Sequence, residues 1–99
     1  MFINSDLVFI GLITYLIGSI PFGLLVSKFA KQEDPRMVGS KNIGATNLLR
    51  IGGWKLGFLT LILDVTKGFI PIYLIDIYNK EEFLGIAILS IILGHLYPI

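Results

Sequence analysis

Leu7-Val-Phe-Ile-Gly-Leu-Ile-Thr-Tyr-Leu-Ile-Gly-Ser-Ile-Pro-Phe-Gly-Leu-Leu-Val-Ser27 is a run of 21 uncharged residues held between Asp6 and Lys28. As a helix rising ~1.5 Å per residue it reaches ~30 Å, the thickness of a bilayer's hydrocarbon core. A cleaved signal peptide fits it poorly. The leader before it holds no Lys or Arg, and the run exceeds the ~7–15 apolar residues of a typical signal core. Working outward, a second apolar stretch extends from about Trp54 to Ile75, with Asp64 and Lys67 its only charges beyond Lys55 at its edge. A third extends from Phe83 to Ile99 and holds one histidine, His95, and no charge. The expected fold is all-α: a polytopic membrane protein with three transmembrane helices, about 7–29, 54–77 and 83–99, and a loop over about 30–53.

Composition agrees. Of 99 residues, 55% are hydrophobic and 15% charged, against ~45–50% and ~25% in soluble domains. Mean hydropathy is +0.82, which excludes an ordinary soluble fold and also disorder, since disorder needs low hydrophobicity and high net charge. A net charge of +1 gives no reason to expect nucleic acid as a partner. With no cysteine, disulfide frameworks, thiolate metal sites and Cys nucleophiles are excluded.

The basic residues orient the chain. Lys28, Lys31, Arg36, Lys41, Arg50 and Lys55 lie between the first two stretches, against Glu33 and Asp34; the turn from Asp76 to Glu82 has Lys80 alone against three acids. The positive-inside rule puts residues 30–53 in the cytoplasm and the N-terminus outside. Small and polar residues recur at helical spacing within each stretch: Gly11, Thr14 and Gly18; then Gly57, Thr60, Asp64, Lys67 or Gly68, and Pro71; then Ala87, Ser90 and Gly94. Such stripes let membrane helices approach closely. Trp54 and Tyr97 read as interfacial anchors.

The cytoplasmic segment carries the chemistry. Arg36-Met-Val-Gly-Ser-Lys-Asn-Ile-Gly-Ala-Thr-Asn-Leu-Leu-Arg50 sets two glycines around hydroxyl, amide and cationic side chains. Glycines allow backbone N–H groups to turn inward around an anion. Ser40, Asn42, Thr46 and Asn47 add donors, and Arg36 and Arg50 add charge with fork geometry. This is a phosphate or acyl-phosphate site at the membrane surface. Gly39 to Thr46 is close to a nucleotide-binding P-loop, but Ala45 stands where that loop needs lysine and no strand precedes it. The blander alternative is a basic loop that binds anionic lipid headgroups.

Gly-Ser-Lys-Asn-Ile-Gly-Ala-Thr-Asn-Leu-Leu-Arg, residues 39 to 50, resembles the first signature of the bacterial acyl-phosphate:glycerol-3-phosphate acyltransferases, the PlsY family. Gly18-Ser-Ile-Pro-Phe-Gly23, Leu63-Asp-Val-Thr-Lys-Gly68 and Gly94-His-Leu-Tyr-Pro98 resemble that family's first three helices in order, so the resemblance covers nearly the whole chain. One departure is Lys41, which stands where the family usually has glycine. The resemblance implies a multi-pass protein of the bacterial inner membrane. Its reaction transfers a fatty acyl group from acyl phosphate to glycerol 3-phosphate, making lysophosphatidic acid for phospholipid synthesis. It implies no cofactor and no metal; the expected partners are the two substrates and membrane lipid. Gly39, Ser40, Asn42, Gly44, Thr46, Asn47 and Arg50 are the substrate-binding candidates, with Lys41, Asp64, Lys67 and His95 accessory and no catalytic residue assigned. Ser40 is expected to bind rather than to act as a covalent nucleophile, since no activating base is evident. Asp64 and Lys67, three apart in a span, read as a structural ion pair or as part of the substrate cavity. His95 reads as a helix-end residue or, less simply, a base.

The family's chains are about twice as long and carry a later Gly-Gly-Lys-Gly segment and a His/Asn motif. The expectation is therefore an N-terminal fragment of a larger helical bundle, from a truncated or split gene and inactive alone; a split gene would make the C-terminal half, as a separate chain, one of its partners. The alternative outside enzymology is a small membrane scaffold or anionic-lipid-binding subunit.

Overall fold

Ser5–Gly18 forms α1, and the helix ends where Pro21 removes a backbone donor. The Ser19 and Ile20 N–H groups still reach back to the Tyr15, Leu16 and Ile17 carbonyls. Phe22–Phe29 then begins again as α2. Where one helix over 7–29 is expected, the chain thus makes two. The remaining helices are α3 (Ala45–Gly52), α4 (Trp54–Ile77) and α5 (Leu84–Leu96), the last preceded by a 3-10 turn at Glu81–Phe83. The computed structural model describes residues 5–32 and 34–99, and no strand occurs among them. Glu33, and the N-terminus expected outside the membrane, lie outside the described residues.

Among the described residues two stretches are long and apolar enough to cross a membrane: Ser5–Phe29 and Trp54–Ile77. The second has the bounds expected from sequence. The third expected span, 83–99, is shorter as a helix: α5 has 13 residues, about 20 Å at the α-helical rise. Pro98 biases Tyr97 away from helical backbone, and Tyr97 sits at φ −131, ψ 67.

The described residues form two units. In the first, residues 5–20 and 66–99, α1 packs against α5. The small-residue stripes are what meet there. A Cβ at Gly18 would run into the Ile91 backbone, and one at Gly94 into the Tyr15 carbonyl. Thr14, Ala87 and Ser90 are buried on the same faces. Thr14 returns its hydroxyl to the Ile10 carbonyl at 2.7 Å, so that hydroxyl is not left bare in apolar surroundings. The Tyr15 hydroxyl donates to the Tyr97 carbonyl. Lys67, 7% exposed, donates from Nζ to the Ile20 carbonyl at 3.1 Å. That carbonyl lies in the break between α1 and α2, where it would otherwise need a donor inside an apolar stretch.

The second unit is residues 21–65. Here α2 packs on α3, with Val26, Ser27 and Leu48 buried. Gly23 lies so close to the Ile43 carbonyl that a side chain there would collide with it. The end of α2 is closed by Lys31 at φ 57: Gln32 N–H reaches the Ser27 carbonyl at 2.8 Å and Lys31 N–H the Lys28 carbonyl at 3.1 Å. That is the paired closure of a Schellman motif.

Candidate functional site

Asn47 is the residue around which the loop from α2 to α3 is wound. Its side chain is 1% exposed. Its Nδ2 donates to the carbonyls of Pro35 (2.8 Å), Val38 (3.1 Å) and Asn42 (2.8 Å). Its Oδ1 accepts the Ser40 N–H at 3.1 Å. One amide therefore ties together four points of a segment that has no regular structure of its own. Gly39, at φ +58, lies directly against Asn47 Oδ1, and a Cβ there would collide with it. Glycine is required at this position for both conformation and space.

The loop is closed further by local bonds. The Lys41 N–H donates to the Val38 carbonyl at 2.9 Å, and Gly44 N–H to Asn42 Oδ1 at 2.9 Å. Ahead of these, Asp34 holds Arg36 with both carboxylate oxygens: Nη2 to Oδ2 at 2.6 Å and Nε to Oδ1 at 3.0 Å. The Asp34 oxygen Oδ1 also accepts the Arg36 N–H at 2.9 Å. These bonds from Arg36 hold the Asp34 carboxyl down at about 2 and push the Arg36 guanidinium up.

Gly44 is extended, at φ −78 and ψ 172, and caps α3. The Leu48 N–H donates to its carbonyl. The N–H groups of Ala45, Thr46 and Asn47 precede that first intrahelical bond, as at every helix start, and the positive end of the helix dipole lies there. Along α3, Asn47 and Leu48 turn inward while Thr46 and Arg50, four apart, are exposed on the other side. Ser40, Lys41 and Asn42 are exposed at the loop's apex. The Ser40 hydroxyl's contact is a long one, accepting the Asn42 N–H at 3.4 Å. Next to Thr46 an apolar cleft of about 310 Å³ runs along α4, lined by Leu49, Trp54, Phe58 and Leu61.

Gly39, Ser40, Lys41, Asn42, Gly44, Thr46, Asn47 and Arg50 are thus brought together in one unit. The first four with Gly44 make the loop; the last three sit on the helix that follows. Asn47 differs from its neighbours because its amide is committed to the loop's own backbone. Asp64 is half-buried on α4. Lys67 and His95 belong to the other unit, Lys67 on the Ile20 carbonyl and His95 exposed on the last turn of α5. The helix α3 was not anticipated from sequence. Its signals were Gly44 ahead of it and Gly52-Gly53 behind it, with Gly53 at φ 87.

Residues 8–99 match the family model for glycerol-3-phosphate acyltransferase. The chain is similar to the glycerol-3-phosphate acyltransferase of Pelagibacter ubique (strain HTCC1062), with 47% identity over 91% of this chain and 47% of that one. It is similar to that of Bartonella henselae (strain Houston 1), with 50% identity over 89% of this chain and 44% of the relative. Among solved structures it is similar to PlsY (YgiH), an integral membrane glycerol 3-phosphate acyltransferase in its glycerol 3-phosphate form. There the TM-score is 0.84 and the identity 42%, over 96% of this chain and 48% of the other. The chain spans about half the length of the curated relatives it matches.

Proposed function

Because this chain belongs to the glycerol-3-phosphate acyltransferase family, we propose that it supplies the phosphate-holding part of an enzyme that acylates glycerol 3-phosphate from acyl phosphate. The observation that carries this is the loop wound on Asn47 and delivered to the start of α3. It gathers the Ser40 hydroxyl, the Asn42 amide, the Thr46 hydroxyl, three backbone N–H groups and Arg50 on one unit. These are donors and cations held before a ligand arrives, the condition for stabilising phosphate charge at low reorganisation cost.

In the proposed reaction the hydroxyl of glycerol 3-phosphate attacks the acyl carbonyl. A carbon–oxygen bond forms to glycerol, and the bond from the carbonyl to phosphate breaks. The hydroxyl proton leaves with the phosphate, giving lysophosphatidic acid and inorganic phosphate. Acyl phosphate is a mixed anhydride with a good leaving group, so orientation removes much of the barrier. Ser40 binds rather than attacks: among the described residues no histidine or carboxylate is bonded to its hydroxyl, whose partner is the Asn42 N–H. Asn47 acts by shaping the loop. The apolar cleft beside Thr46 suits the acyl chain.

The same reading takes α5 with its flanks as a third span, residues 30–53 as cytoplasmic, and the bacterial inner membrane as the location. The part of the bundle that the longer relatives carry in addition completes the site, with Asp64, Lys67 and His95 as accessory candidates. The test is titration of the chain with glycerol 3-phosphate in phosphatidylcholine nanodiscs, followed by ³¹P NMR. Binding that falls at least tenfold in Arg50→Ala and in Ser40→Ala is expected. Unchanged binding in both variants, or binding to anionic vesicles alone, favours a lipid-binding scaffold and sinks the proposal.

A further inference from the structure

Three residues other than glycine have left-handed backbone among the described residues: Lys31 at φ 57, Lys41 at φ 62 and Asn79 at φ 55. Two of them end helices. Lys31 closes α2, as above. Asn79 closes α4, with Lys80 N–H on the Ile75 carbonyl and Asn79 N–H on the Asp76 carbonyl, both at 3.0 Å. Positive φ is what that closure demands.

Lys41 ends nothing. It stands four residues before α3, and the backbone on either side of it is pinned by the same amide: Ser40 N–H on Asn47 Oδ1, and the Asn42 carbonyl under Asn47 Nδ2. The conformation is imposed by those bonds, and a glycine would adopt it without strain. The loop instead carries a long cationic side chain there. Lys41 is exposed, and its ammonium has no hydrogen-bond or ion-pair partner among the described residues. Of the two carboxylates nearby in sequence, Asp34 is engaged by Arg36, and Glu33 lies outside the described residues. Strained backbone at a ligand-facing loop, with a side chain that repays none of it internally, points outward to what that side chain meets.

We propose that Lys41 is a specificity-determining residue that selects doubly charged phosphate monoesters at this loop. The inference rests on the proposed function above, since it takes the loop to hold phosphate. Ser40, Asn42 and the N–H groups of α3 provide directional bonds that a phosphodiester also satisfies. A point charge at the apex, between Ser40 and Asn42, adds Coulomb attraction that grows with the ligand's charge and is screened by salt. The ligand is a terminal phosphate monoester, whether free glycerol 3-phosphate or the headgroup of a phosphatidic acid.

The test uses the whole chain and its Lys41→Gly, Lys41→Gln and Lys41→Arg variants in phosphatidylcholine nanodiscs. Affinities for glycerol 3-phosphate and for dimethyl phosphate are measured at two salt concentrations, alongside thermal stability. Lys41→Gly is expected to melt roughly 4 °C higher and to bind glycerol 3-phosphate roughly fivefold more weakly, as loss of an exposed ion pair predicts. Its salt dependence flattens, and dimethyl phosphate binding stays within about twofold of the parent. Lys41→Gln loses the same affinity without the gain in stability, and Lys41→Arg retains it. Discs doped with phosphatidic acid separate the two sources: competition that depends on Lys41 marks the headgroup, and its absence marks the soluble ester. A Lys41→Gly chain that binds glycerol 3-phosphate as tightly as the parent overturns this inference alone, provided Arg50→Ala still loses binding. A parent chain that binds no phosphate monoester overturns the proposed function and this inference with it.

Discussion

Replacing Asn47 by alanine removes the side chain that holds the 35–47 segment together, and the cost can be worked from its bonds. The amide NH₂ has two hydrogens for three carbonyls, so one hydrogen is shared and the set counts as two full bonds; Ser40 N–H adds a third. At about 1 kcal/mol net for each, the total is about 3 kcal/mol. Water regained by carbonyls near the surface returns part of this, leaving about 2 kcal/mol. Amide hydrogen exchange at Ser40 reads that quantity directly: protection should fall about 30-fold in Asn47→Ala. Asn47→Asp supplies the necessary contrast. It keeps an acceptor for Ser40 but sets a carboxylate against three carbonyls, so it should disrupt the loop at least as much as alanine. Glycerol 3-phosphate affinity should fall with loop order in both. Ser40 protection within threefold of the parent in Asn47→Ala, or an Asn47→Asp loop more ordered than the alanine variant, would refute the reasoning.

Other perturbations test other parts of the molecule. Thr60 is fully buried and its hydroxyl has no hydrogen-bond partner among the described residues, so Thr60→Val should be neutral or stabilising by up to about 1 kcal/mol in denaturant titration. Lys67→Met takes the donor from the Ile20 carbonyl and should destabilise the chain by about 1–3 kcal/mol, with partial rescue in Lys67→Arg. Gly94→Leu forces a side chain into the Tyr15 carbonyl; overpacking of this kind costs about 1–3 kcal/mol and should lower the unfolding midpoint. Asp34 has a folded-state value lowered from 3.8 to about 2, so its contribution is complete above the unfolded value and is lost as pH falls from 3.8 through about 2. Its carboxyl resonance should titrate in that window, and return toward the ordinary carboxylate range in Arg36→Gln.

Hydropathy and spacing by themselves determined the helical class, the long apolar helix over residues 54–77, and the small-residue faces along which α1 and α5 meet. Those properties are local: a run of apolar residues must satisfy its backbone internally, and a stripe of Gly, Ser and Ala shows which side approaches a neighbour. The same holds for the loop's donors, since Ser40, Asn42, Thr46 and Arg50 are exposed where their residue types suggest. Tertiary structure decided the rest, because each point depends on partners distant in sequence. Pro21 marks a place where a helix can stop, but Lys67, 47 residues away, supplies the donor for the carbonyl freed there. Asn47 has the composition of a ligand-binding residue and is instead turned inward, since only the folded loop brings Pro35, Val38 and Asn42 around it. And Lys41 stands out in sequence as a cation where the family usually has glycine. Its left-handed backbone, held by Asn47 from both sides, belongs to the folded loop alone.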